Sequence, residues 1–244
     1  MPEWGSRGRI GLIVPSVNTV VEPEMNRMKP EGVTVHAARV LIPGDISSLP
    51  AFIRMCEAGC RNAEKAVREL ATAKVDVYAF AFTAGSFFRG AGWDDKIARQ
   101  IEKSGKAPCV VTSTAAIDAL KAFGVERIAI VSPYAIANEL LKKFVEGKGV
   151  EVVRMEGLTL SSAQEEGRQT LEAFTDLVKR ADDPKAEAIF VACTNFASTA
   201  ALDRLEKSLD KLIITANQAT FWAALRRLGN KNKIQGFGRL LREK

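Results

Sequence analysis

The sequence has one histidine, His36, and four cysteines, at positions 56, 60, 109 and 193. A single histidine cannot complete a Cys/His zinc cluster, and no ligands stand at zinc spacing around Cys56 and Cys60. Neither a metal site nor a Cys–His catalytic dyad is expected. No apolar run approaches the roughly 18 residues that a membrane span requires. Residues 1–5 show no charged stretch followed by an apolar one, so a secretory leader is not expected either. A cytoplasmic setting follows as the expectation, and with it reduced thiols rather than disulfides. Nucleotide signatures are missing: no Gly-x-Gly-x-x-Gly follows a strand pattern, and there is no Walker loop with its lysine. Apart from Glu22 and Glu24, carboxylates avoid the ends of the apolar runs, which argues against Mg²⁺-assisted phosphoryl transfer. No cofactor is expected.

What is present is ordinary for a globular chain. Of 244 residues, 47% are apolar and 26% charged, enough for one large α/β domain or two smaller ones. The net charge of +6 raises the question of a nucleic-acid partner. Basic residues are scattered along helical patterns, as at Lys142-Lys143 and Arg226-Arg227, and only 231–244 is densely basic. That tail has little interleaved aromatic character, so neither nucleic acid nor membrane is expected as a partner.

Short apolar runs alternate with amphipathic stretches. Strands are expected at Ile10–Val14, Thr34–Val40, Val75–Ala81, Cys109–Val111, Ile128–Val131, Glu151–Met155, Ala188–Ala192 and Leu212–Thr215. Helices are expected at Ala51–Ala73, Trp93–Ser104, Thr114–Phe123, Ile136–Gly147, Ala163–Arg180, Thr199–Ser208 and Gln218–Gly229. The alternation implies parallel βαβ units with helices on both faces of the sheet. The chain also repeats itself. Residues 9–16 resemble 127–134 and residues 77–83 resemble 188–194, at offsets of 118 and 111. Two similar α/β halves are therefore expected, each with a four-stranded parallel sheet. The first spans 1–116, with 216–244 packing back on it, and the second spans 117–215.

Ligands of open parallel sheets sit at the carboxyl ends of the strands. Read in order, those ends carry hydroxyls and amides without charge: 15–19, 82–86, 112–114, 132–134, 193–195 and 215–218. Many of these residues also suit helix N-caps. Together they offer neutral donors to a carboxylate or oxyanion. One reactive group stands among them, the thiol of Cys193, directly after a strand and before a helical pattern. At a helix N-terminus its pKa would be lowered, making it a usable acid or nucleophile. The other three cysteines fall within a helix or at the start of a strand and read as structural.

The segments 13–19, 83–87, 131–134, 192–194, 221–223 and 236–240 resemble the maleate isomerase and arylmalonate decarboxylase family of the aspartate/glutamate racemase superfamily. The resemblance implies two pseudo-symmetric Rossmann-like halves, with a cofactor-free site between them that binds a small carboxylate. It also implies a homodimer or higher homo-oligomer. Racemases and maleate isomerases place one cysteine from each half about the substrate, and the internal match puts Phe82 where the partner of Cys193 would stand. Arylmalonate decarboxylases lack that first thiol and use the second to protonate an enediolate. The expected site is thus Cys193 as the catalytic thiol, with Ser16, Asn18, Thr83, Ala84, Tyr134 and Thr194 binding the carboxylate or oxyanion. Phe82 and Pro15 are expected to line the pocket. Decarboxylation is the preferred reading. Asn18 fits an isomerase-type first loop, whereas Ala163 stands where isomerases carry an asparagine, and a maleate cis-trans isomerase is the alternative. A dicarboxylate-binding protein without catalysis is the alternative of another class.

Overall fold

The computed structural model describes residues 3–244, so the first two residues of the segment read for a leader lie outside the described residues. Eight strands run as β1 (Gly8–Pro15), β2 (Val33–Val40), β3 (Val77–Phe80), β4 (Cys109–Val111), β5 (Arg127–Ser132), β6 (Glu151–Gly157), β7 (Ala188–Val191) and β8 (Leu212–Thr215). The helices are α1 (Val21–Met28), α2 (Leu49–Thr72), α3 (Thr83–Phe87), α4 (Trp93–Gly105), α5 (Thr112–Ala122), α6 (Asn138–Gly147), α7 (Ala163–Glu166), α8 (Leu171–Ala181), α9 (Leu202–Leu209), α10 (Ala216–Arg227) and α11 (Arg239–Glu243). None of the described helices is long and apolar enough to cross a membrane.

The strands form two four-stranded parallel sheets with the same internal order, β2-β1-β3-β4 and β6-β5-β7-β8. The repeat seen in the sequence is thus a repeat in space, and it holds down to single hydrogen bonds. Ala81 N donates to Ile13 O at 2.9 Å, and Ala192 N donates to Val131 O at 2.8 Å. Both pairs keep the sequence offsets, so Phe82 and Cys193, one residue further on, occupy equivalent seats at the ends of β3 and β7. Runs such as Leu12-Ile13-Val14 and Ile128 to Val131 are fully buried, as expected for strands covered on both faces.

Local chemistry explains the helix ends. Ser48 accepts from Ala51 N to start α2, whose residues Phe52, Met55, Cys56, Gly59, Ala63, Ala66 and Leu70 form its buried stripe. Thr215 and Gln218 form a reciprocal capping box on α10. Helix α10 covers α5, β3 and β4, whereas the tail containing α11 lies against α10 and β8.

One expected element is corrected. The single helix expected over Ala163–Arg180 is broken, because Thr170 accepts from Ala173 N and starts α8 as a separate helix. Gly167 stands in the break. A Cβ there would come within 2.7 Å of Thr19 Oγ1 and 2.8 Å of Asn195 Oδ1, so the chain makes a close approach that a side chain would block. Helices α1, α3 and α11 were not expected from the periodicity; the latter two have only five residues each.

Candidate functional site

The carboxyl ends of β3 and β7 meet where the two halves join. Thr194 Oγ1 donates to Ala81 O at 3.1 Å, and Asn18 Nδ2 donates to Thr194 Oγ1 at the same distance. Asn18 Oδ1 accepts from Val20 N and Val21 N, which fixes the loop after β1. These bonds surround a cavity of about 30 Å³, lined by Pro15, Val17, Asn18, Ile42, Met55, Phe82, Thr83, Ala84, Tyr134, Ala163, Glu166, Cys193, Thr194 and Asn195. That is room for about one or two waters, so a larger ligand fits only when the surrounding residues move.

The cover is built from both halves. The loop between β2 and α2 and the loop between β6 and α7 pair through Ala163 N to Gly44 O (2.7 Å), Ile46 N to Ser161 O (3.1 Å) and an antiparallel bridge between Asp45 and Ser162. These two segments form a lid held by backbone hydrogen bonds.

Eight of the nine site residues expected from the sequence line this cavity: Pro15, Asn18, Phe82, Thr83, Ala84, Tyr134, Cys193 and Thr194. Ser16 does not; its hydroxyl accepts from Ile42 N at 3.3 Å and steadies the lid loop instead. Two of the six polar strand ends also serve the fold rather than the cavity. Thr112 donates to Phe80 O and accepts from Thr220, and Thr215 caps α10. The neutral donors that remain are unequal. Tyr134 already donates to Ala192 O, its ring packed 5.5 Å from that of Phe52. Thr83 Oγ1 is buried in the cavity wall beside the Tyr134 hydroxyl, with no hydrogen bond of good geometry, so its O–H can turn to a ligand.

The ring of Phe82 is fitted against glycines. A Cβ on Gly85 would lie 2.4 Å from Phe82 Cδ1, and one on Gly59 would lie 2.5 Å from Cε1. The seat equivalent to Cys193 is therefore filled by hydrocarbon, and with Ile42, Met55 and Val17 it makes the apolar side of the cavity.

The expected environment of Cys193 is corrected. After β7 the chain passes through a turn at 194–195 and reaches α9 only at Leu202, so Cys193 does not head a helix. Its thiol is pushed well above the ordinary range rather than lowered, first by burial and then by the neighbouring Glu166. Asn195 N donates to Sγ at 3.2 Å and opposes this in part.

Glu166 was not foreseen. It lies at the end of the one-turn helix α7, 6% exposed, with Oε2 3.4 Å from Cys193 Sγ. Burial pushes its carboxyl up to about 8. Beside Glu165 in a helical pattern, its own position in the sequence does not mark it out. A glycine followed by a threonine cap at 167–170 was the available signal, since ending the helix there turns Glu166 inward. Asn195, whose Nδ2 donates to Ala163 O at 2.9 Å, anchors α7 against the Cys193 turn.

A family model described as arylmalonate decarboxylase matches residues 10–241. A maleate isomerase of Geobacillus stearothermophilus is 27% identical, over 96% of each chain. An arylmalonate decarboxylase of Bordetella bronchiseptica is 24% identical, over 94% of this chain and 97% of that one. Among solved structures, the maleate isomerase Iso from Pseudomonas putida S16 superposes with a TM-score of 0.88 at 26% identity, covering 97% of this chain and 98% of that one.

Proposed function

Because this chain belongs to the arylmalonate decarboxylase family, we propose that it is a cofactor-independent enzyme that decarboxylates a malonate-type substrate, with the single thiol of Cys193 protonating the resulting enediolate. The observation that carries this reading is the filling of the two equivalent strand-end seats: a thiol in one and the Phe82 ring in the other. A two-base racemisation needs a proton-transfer group at both seats, and a phenyl ring is none. Loss of CO₂ leaves a planar enediolate, which needs a proton on one face only.

The remaining wall suits that step. Phe82, Ile42, Met55 and Val17 would surround the departing carboxylate with hydrocarbon, raising its energy relative to neutral CO₂. The hydroxyl of Thr83 and the amide of Asn18 would meet the opposite need, donating to the carboxylate that becomes the enediolate. No lysine or arginine lines the cavity among the described residues, so these neutral donors carry the oxyanion. Release of CO₂ from aryl- and alkylmalonates by the wild-type protein and by Cys193→Ala tests the reading. Turnover by the wild type that is lost in the variant is expected; equal rates would overturn it.

Asn18 favours a second reading, cis-trans isomerisation of maleate or a substituted maleate. Its amide would grip one carboxylate while Cys193 adds to the double bond. That reaction gives a fumarate-type product and an adduct of substrate mass on Cys193. Maleate unchanged after prolonged incubation would remove this reading. Phe82→Cys restores a second thiol, and gain of isomerisation in that variant would locate the missing group.

A further inference from the structure

We propose that Glu166 is a proton relay behind Cys193, returning a proton to the thiol after each transfer to substrate. The proposal rests on the reading that Cys193 delivers protons, and it assigns a task to a buried carboxyl that such a reading leaves unused.

The geometry is specific to this residue. Glu165 and Glu166 are adjacent, yet they diverge. Glu165 accepts from Ser161 and Ser162 at the surface, while Glu166 points into the cavity and meets Cys193 Sγ. The break at Gly167 and the Asn195 bond to Ala163 O hold α7 in that orientation. The titratable groups facing Glu166 are Cys193 at the end of β7, Tyr134 after β5 and Cys56 on α2, and burial keeps all three protonated. Among the described residues no cation acts on the Glu166 carboxyl; burial and the Cys193 thiol are the influences it feels. A buried carboxyl in such surroundings is more stable with its proton on.

The chemistry follows from that resting state. Cys193 S–H gives its proton to the substrate carbon, the C–H bond forms and the electron pair of the S–H bond stays on sulfur. The thiolate so formed is buried and has no cationic partner among the described residues. Glu166 is the stronger acid of the pair, so its O–H proton passes to Sγ along the 3.4 Å contact. The carboxylate that remains takes a proton from water when the lid opens to release product. One proton is consumed per CO₂ released, as the conversion of a malonate dianion to a monocarboxylate requires, and no oxidant or reductant enters.

Two measurements separate this proposal from the reaction it serves. In the substrate-free protein, pH-difference infrared spectra are expected to show a carboxylic-acid carbonyl band titrating near pH 8, absent in Glu166→Gln and shifted in Cys193→Ala. Absence of any such band lost in Glu166→Gln would overturn the relay whatever the enzyme acts on. With a malonate that the wild type turns over, Glu166→Gln is expected to release about one product per site quickly and then slow by about a hundredfold, with KM falling alongside kcat because the slow step follows product formation. Glu166→Asp, which keeps an acid, is expected to recover part of the steady rate. Steady turnover of Glu166→Gln within about twofold of wild type would overturn the relay. If the wild type turns over no malonate while the infrared band is present, the decarboxylase reading falls and the shared proton stands.

Discussion

The ring of Phe82 lies so close over Gly85 that a Cβ there would sit 2.4 Å from its Cδ1. Ring and glycine are fitted to each other. Gly85→Ala is therefore expected to overpack the site and cost about 1–3 kcal/mol, read as a lower urea midpoint at unchanged m-value. Adding Phe82→Leu should return most of the loss. A single Gly85→Ala variant as stable as wild type would mean that the ring has another place to go.

Glu166 makes stability depend on pH in a direction opposite to most carboxylates. Its folded pKa of about 8 lies above the ordinary 4.5. Between these values the folded state binds the extra proton, so stability should fall as pH rises, by about 1.4 kcal/mol per unit for one fully linked proton. Below about 4 and above about 8 this contribution is flat. Glu166→Gln should lose that slope and gain on wild type as pH climbs from 5 to 8 in urea titrations. A gap between the two proteins that stays constant over this range would mean that Glu166 is already ionised.

Lys148, at the end of α6, reaches across the halves to Asp94 on α4, with Nζ 2.6 Å from Oδ2. Asp94 is fully buried and also accepts from Thr114 Oγ1 and Gly92 N. Lys148→Met leaves a buried carboxylate without its cation, and a loss of about 3 kcal/mol is expected. The double variant with Asp94→Asn should recover much of it, because no charge is then stranded. A double-mutant cycle on thermal unfolding measures the coupling.

The lid should loosen when one of its backbone bonds is removed. Ile46→Pro deletes the N–H that donates to Ser161 O. Loss of about 1 kcal/mol raises the open fraction about fivefold. Reaction of Cys193 with an aromatic disulfide reagent should speed up by that factor, with Cys193→Ala supplying the background from the other cysteines. An unchanged rate would place the entrance elsewhere.

The sequence made the two halves and their strand ends legible because both express themselves locally. Buried strands are continuous apolar runs such as Ile128 to Val131, and the internal repeat alone assigns Phe82 and Cys193 to matching positions. What it hid were relations between segments far apart in the chain. Cys193 looked like a helix-start residue because Thr194 and Asn195 resemble caps, yet their side chains bond to Ala81 O, Thr19 N and Ala163 O across the site. Glu166 was lost inside a helical pattern that continues smoothly over 163–180 unless the Gly167 close approach is known. Ser16 has the right type of side chain on the right loop, but one residue of offset along that loop turns it to Ile42 N.

The equality of the two strand-end seats has a consequence for the product. A planar enediolate held between them has two faces, one toward Cys193 and one toward the Phe82 ring. On the proposed decarboxylation the proton comes from the Cys193 side alone, so a malonate bearing two different substituents should leave as one mirror-image form. Handedness in the product would then be written by which half of a repeated fold kept its acid.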